Sequence, residues 1–293
     1  METKTRLDIN AITSKIGDLP AVPEVVAEVI VLTDNPDSEL SDVAIAIEKD
    51  PALAAKVLKV ANSPYYGMRQ VVGSLRLALV VLGIREVRNV VLGIGVLDTL
   101  RLDRTKVLLD PTNFWDHSFK TGGFARRLTT HFDLAVHGEE FVAGLLHDVG
   151  KLVLWSQLGD EYETVYRASM PASKILQDME RDAFGFDHAD VGAALAKCWN
   201  MPETLVDAIA YHHDRGDLTL SDATDSQLAA LVRIADLAMN EEQIDPKEVL
   251  EEVCADDMVW ALAVPGEEIP VEHREVAILN AQHEICDLLT LQL

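Results

Sequence analysis

The sequence predicts an all-α fold, on three observations. Apolar residues recur at offsets of three and four along almost the whole chain, the spacing that builds one face of a helix. Alternation of apolar and polar residues between hairpin turns, the mark of a half-buried strand, is convincing nowhere. Residues that start and stop helices stand between the periodic stretches. The organisation read from the residues is a first set of short helices joined by tight turns, then a second helical block from about Asn113 to Asn240. A helical C-terminal extension over 241–293 follows.

The elements follow in order. Pro23 suits the first turn of a helix "PEVVAEVIVLT", because its fixed φ is already helical. Asp50 and Pro51 supply a cap and a helix start for "DPALAAKVLKVA". "NSPYYG" interrupts, Ser74 caps "LRLALVVL", and Gly83 stops it. "PTNFWDHSFKTGGFARRL" opens with Thr or Asn as cap and Asp116 in its first turn, where a carboxylate favours the helix dipole. "GLLHDVGKLVLW" reads as buried helix, and "HHDRGDLTLSDATDSQ" as a loop. The last segment, "REVAILNAQHEICDLLTLQL", carries an apolar stripe suited to packing on the body or on a partner.

Composition narrows the function classes. With 293 residues the chain can bury a substantial core, and 48% hydrophobic residues is ordinary for a soluble protein. A formal net charge of −24 repels polyphosphates at long range, so nucleic acid and anionic membrane surfaces are excluded as expected partners. Cys198, Cys254 and Cys286 are odd in number and far apart, which suggests neither a disulfide framework nor a thiolate zinc cluster and fits a reducing cytoplasm. The N-terminus lacks a signal-peptide core, and Arg85, Glu86 and Arg88 interrupt the most apolar stretch. No membrane span and no internal repeat is expected.

The chemistry lies in polar residues projected onto apolar faces. His117 shares a face with Phe114, Phe124 and Leu128, at offsets of three, seven and eleven. His188 aligns with Val191, Gly192, Leu195 and Trp199, and His212 with Leu205, Ala208 and Ile209. Asp236 lies among Val232, Ala235 and Met239 at the edge of its stripe, and His147 and Asp148 stand side by side in the apolar run. One such histidine is ordinarily a core ring bonded to a carbonyl, and one such aspartate a cap or an arginine's partner. Five segments doing this together ask for a shared partner, because an unpaired buried charge costs several kcal/mol, about the whole stability margin. A divalent cation is the simplest, and imidazole with carboxylate suits Fe, Mn, Zn or Ni.

The order His117, His147–Asp148, His188, His212–His213, Asp236 resembles the ligand pattern of the HD superfamily of metal-dependent phosphohydrolases, and "HDVGK" resembles the core motif of its two-metal members. "LPAVPEVVAEVI", "DPALAAKVLKVANSPYYG" and "SLRLALVVLG" resemble the hallmark segments of the HDOD domain, a bacterial signalling module, over residues 13–240. The resemblance implies that residues 1–110 form the module's own helical layer and 111–240 its HD-like half. It further implies that His117, His147, Asp148 and Asp236 hold one metal. Asp148 would bridge to a second, completed by His188, His212 and His213, and Lys151 would touch a substrate phosphate. Read by itself, Lys151 is equally a solvated surface amine. Gly150 is expected to relax the helix so that His147 and Asp148, about 100° apart on a regular helix, reach one ion. After "HHD" the chain runs "RGDLTL", without the Gly-Tyr-Pro signature of the cyclic-di-GMP phosphodiesterases, so that hydrolysis is not expected.

Two functions follow as expectations. One is a regulatory module that retains one or two metals and meets a signalling protein partner. The other is a phosphohydrolase in which Asp148 and Lys151 are the catalytic residues and two cations neutralise a phosphate ester and activate water. A phosphate ester is then a ligand, though no glycine-rich phosphate cradle is present to select one.

Overall fold

The computed structural model describes residues 21–62, 66, 68, 70–99, 111–134, 139–169, 176–213, 220–239, 246–266 and 268–290. Part of "NSPYYG", part of "HFDLAVHGEE" and part of "RGDLTLSDATDSQ" lie outside them, as do the N-terminal segment and the side chain of Cys286; the described part of the last run, expected as loop, holds a 3-10 turn at Leu220–Asp222 and the start of a helix at Ser226. Every regular element among the described residues is helical, as the periodicity requires. They fall into two compact units, one holding the helices up to residue 99 and the other those from 111 to 289.

In the first unit, α1 (Glu24–Asp34) begins one residue later than the sequence suggests. Pro23 has ψ 140° and sits at the cap, since a proline φ fits either position and only ψ separates them. After α2 (Leu40–Glu48), the Asp50 carboxylate caps α3 (Pro51–Ala61), accepting from the amides of Ala52 and Leu53 at 2.9 and 3.1 Å. Asn62 then spans the break. Its amide donates to the Val72 carbonyl at 2.9 Å and its oxygen accepts from the Val72 N–H at 2.7 Å, so one side chain satisfies both backbone groups of a residue ten positions on. The Ser74 hydroxyl caps α4 (Leu75–Leu82) at the Leu77 amide, and Gly83, at φ 87°, ends it where a β-carbon would be strained. With α5 (Ile84–Thr99), Val43, Ile47, Val57, Leu79, Val87 and Val91 form the core.

The second unit opens with α6 (Pro111–His131). The helix starts earlier than expected: Thr112 and Asn113 lie inside the first turn instead of capping it, because a proline at the first position has no N–H to lose. Asp116 accordingly sits past the first turn and pairs with Lys120 at 2.9 Å. α7 (Glu140–Leu146) crosses α6 where Gly122 meets Gly144; a β-carbon on Gly122 would lie 2.4 Å from the Phe141 carbonyl oxygen. The run "GLLHDVGKLVLW" is two helices, not one. It breaks at Asp148, with φ −96° and ψ 5°, before α8 (Val149–Leu158).

Helices α9 (Asp160–Ser169), α10 (Leu176–Phe184), α11 (His188–Cys198) and α12 (Glu203–Tyr211) follow, then α13 (Ser226–Met239), which packs against α6. α14 (Pro246–Ala255), α15 (Asp257–Ala263) and α16 (Val271–Thr290) complete the unit. The apolar stripe of α16 packs on the body: Ala277, Ile278 and Ala281 join Trp260, Phe124 and Leu128 in one core. Among the described residues no helix is long and apolar enough to cross a membrane.

Candidate metal centre

Five segments of the second unit bring His117, His147, Asp148, His188, His212, His213 and Asp236 together. Local geometry explains how. The glycine contact between α6 and α7 lets the C-terminal end of α7 reach the level of His117, and His147 follows directly, its Nδ1–H donating to the Gly144 carbonyl at 2.7 Å. The bend at Asp148 turns its carboxylate toward α11. Gly150 is not the source of that bend. It lies within α8, and its role is close packing: a β-carbon there would sit 1.8 Å from the His188 carbonyl oxygen. His212 ends α12, its Nδ1–H on the Ile209 carbonyl at 2.7 Å, and Asp236 comes from α13.

Most of the separations suit a shared cation, while His117 Nε2 to Asp148 Oδ2 at 3.9 Å and His212 Nε2 to Asp148 Oδ1 at 3.7 Å are wider. Donors held about 2.1 Å from one ion lie about 3.0 Å apart at right angles and about 3.4 Å apart at tetrahedral angles. His117 Nε2 is 3.1 Å from Asp236 Oδ1, and His147 Nε2 is 3.3 Å from the same oxygen and 3.4 Å from Asp148 Oδ2. The other oxygen, Asp148 Oδ1, is 3.3 Å from His188 Nε2 and 3.7 Å from His212 Nε2, while His188 and His213 bring their Nε2 atoms to 2.9 Å. One carboxylate thus faces two clusters, one with each oxygen.

The rings are also set for ligation. A carbonyl can only accept, so His147 and His212 carry their proton on Nδ1, and in the neutral ring the Nε2 lone pair points into the centre. Both Nε2 atoms and Asp148 Oδ1 are buried without a hydrogen-bond partner. Three donor atoms left so inside a protein interior fit a cation and are costly otherwise.

Electrostatics agree. Burial alone would push the His147 imidazole down, but the Asp148 and Asp236 carboxylates outweigh it and carry the ring up to about 10. His188, likewise opposed by burial, is carried up to about 9, chiefly by Glu180. Burial pushes His212 down to about 4. Asp148 and Asp236 overcome burial and lie well below the usual carboxylate range, each mainly through His147. The carboxylates therefore demand positive charge, which protons meet when no cation is bound. Lys151 is not a solvated amine: its side chain is 18% exposed and its ammonium is bonded to Asp148. His117, with its side chain 23% exposed, is more open than His147, His188 and His212.

The sequence reasoning missed Glu180 and Tyr162. Glu180 is fully buried on α10 and accepts from His188 Nδ1 at 2.6 Å, from the His188 amide at 2.9 Å and from the Tyr162 hydroxyl at 2.6 Å. A signal existed: Leu176, Glu180 and Phe184 recur every four residues, which puts a carboxylate in an apolar stripe.

The HDOD domain family model matches residues 19–215, a segment that includes six of the seven donors and stops short of Asp236. An uncharacterised protein of Treponema pallidum (strain Nichols) is 30% identical over 219 residues, 73% of this chain and 41% of that protein, so the chain spans about two fifths of the length of this curated relative. Among solved structures, an HDOD domain protein of Geobacter sulfurreducens has a TM-score of 0.76 at 26% identity, covering 97% of this chain and 98% of its own. A Shewanella amazonensis SB2B protein, provisionally named a phosphohydrolase, has a TM-score of 0.74 at 23% identity, covering 97% and 100%, and shares the fold. The chain belongs to the HDOD family.

Proposed function

We propose that this chain is a regulatory HDOD module built around a two-cation centre, passing its input through contact with a signalling protein. His117, His147, Asp148 and Asp236 would hold one cation, and Asp148, His188, His212 and His213 the other. The observation that carries the reading is the set of buried donor atoms, His147 Nε2, His212 Nε2 and Asp148 Oδ1, which converge at 3.3–3.7 Å from their neighbours without a well-formed hydrogen bond, on rings already fixed in the ligating tautomer. Membership of the HDOD family supports a regulatory role, and the net charge of −24 favours a protein partner over nucleic acid.

A second reading, a phosphohydrolase, is favoured by one specific observation: the complete donor set has an ammonium, Lys151, bonded to its shared carboxylate. Divalent cations bound there would supply Lewis-acid stabilisation of phosphoryl charge. Lys151 would add a point charge for a phosphate oxygen, and His117 and Lys151, both partly open, would mark the side of entry.

Elemental analysis of protein purified without chelator, with hydrolysis assays on p-nitrophenyl phosphate and its bis ester, separates the readings. The regulatory reading expects about two metal equivalents per chain and no turnover. Turnover lost in Asp148→Ala supports the enzyme instead, and protein with less than one equivalent contradicts both.

A further inference from the structure

Three histidines of the centre have a ring N–H facing away from it, and the acceptors behind them differ. His147 and His212 each use the carbonyl three residues earlier, Gly144 and Ile209, a partner that a helix end supplies by itself. His188 cannot do this. It is the first residue of α11, and Asp187 before it is extended, with φ −115° and ψ 178°, so no carbonyl of its own helix lies behind the ring. Glu180 fills that place from eight positions upstream, gripping both the ring and the main-chain amide of His188 while Tyr162 fixes its other oxygen.

A neutral amide oxygen would meet both His188 N–H groups equally well. The negative charge is surplus to that task, and it is fully buried beside Tyr162, which packs against Phe184. Placing a carboxylate there is costly unless positive charge is near. At the centre Asp148, Asp236 and Glu180 stand against the one ammonium of Lys151, so with neutral imidazoles two negative charges remain to attract cations.

We infer that Glu180, fixed by Tyr162, is the positioning residue of the second cation position: it orients His188 toward Asp148 and His213 and makes that ring a stronger donor than its carbonyl-backed neighbours. The inference rests on the two-cation reading above. A carboxylate behind a ligating imidazole raises its basicity, and loss of such a partner typically costs 10–100-fold in metal affinity.

The test is a titration of the full, metal-stripped chain with cobalt(II), reading visible absorption as the first and second equivalents bind. Glu180→Gln keeps an acceptor for both His188 N–H groups and removes the charge; its NH2 then faces the Tyr162 hydroxyl, which turns from donor to acceptor. It is expected to weaken the second equivalent 10–100-fold and leave the first unchanged, which also checks folding. A second equivalent bound as in the unaltered protein, or both equivalents weakened alike, overturns the inference. Unaltered protein that takes up fewer than two equivalents overturns the two-cation reading, and this inference with it. Independently of any variant, ¹⁵N NMR of the zinc-loaded chain is expected to show His188 protonated on Nδ1 and ligated through Nε2; the opposite tautomer overturns it.

Discussion

Gly150→Ala tests how the packing of two helices sets the centre. The new β-carbon would lie 1.8 Å from the His188 carbonyl oxygen and 2.7 Å from the Gly192 nitrogen, both backbone atoms that no rotamer change can move. Ordinary contact needs about 3.4 Å, so α8 and α11 must part by roughly 1.5 Å. His188 Nε2, now 3.3 Å from Asp148 Oδ1, then moves out of the range in which both bind one ion. Overpacking of this kind costs about 1–3 kcal/mol, which for a domain of this size lowers Tm by roughly 2–10 °C. The assay is cobalt titration alongside thermal unfolding of the stripped protein. The expected result is a modest fall in Tm with the second equivalent lost and the first weakened less. A second equivalent bound with unchanged affinity would refute the claim that the glycine contact between α8 and α11 sets the distance.

Three further outcomes are expected. Asp236→Asn removes the carboxylate whose oxygen lies 3.1 Å from His117 and 3.3 Å from His147, so inductively coupled plasma analysis should find the first cation lost and the second kept. The stability of the metal-free protein should fall as pH rises. His147 and His188 are carried from 6.5 to about 10 and about 9 in the fold, so the folded state holds more protons than the unfolded chain across that window. Their contribution is fully present below about 6.5 and is lost as pH passes through the folded values; urea midpoints that rise between pH 7 and 9 contradict this. Asn62→Ala leaves both backbone groups of Val72 without their partner, and urea unfolding of the first unit should register a loss of about 2 kcal/mol.

What the sequence disclosed depended on the range of the chemistry. The caps at Asp50 and Ser74 and the stop at Gly83 were legible because each is settled within four residues. The inward faces of His188, His212 and Asp236 were legible from helical spacing, and the meeting of those faces from the resemblance. The break at Asp148 was not, since the apolar run continues on both sides of it. Gly150 was assigned a local effect because a close approach to another helix leaves no trace in its own segment. Glu180 went unnoticed because its partners, Tyr162 and His188, belong to neighbouring helices, and only the four-residue stripe hinted at its burial.

The central claim is that seven side chains from five segments converge because cations hold them together. Anomalous scattering from crystals of the metal-loaded chain measures that directly. Two peaks are expected, one bonded to His117, His147, Asp148 and Asp236 and one to Asp148, His188, His212 and His213, each about 2.0–2.3 Å from its donors. A loaded crystal with no peak among these residues, or with metal bound only elsewhere, would contradict it.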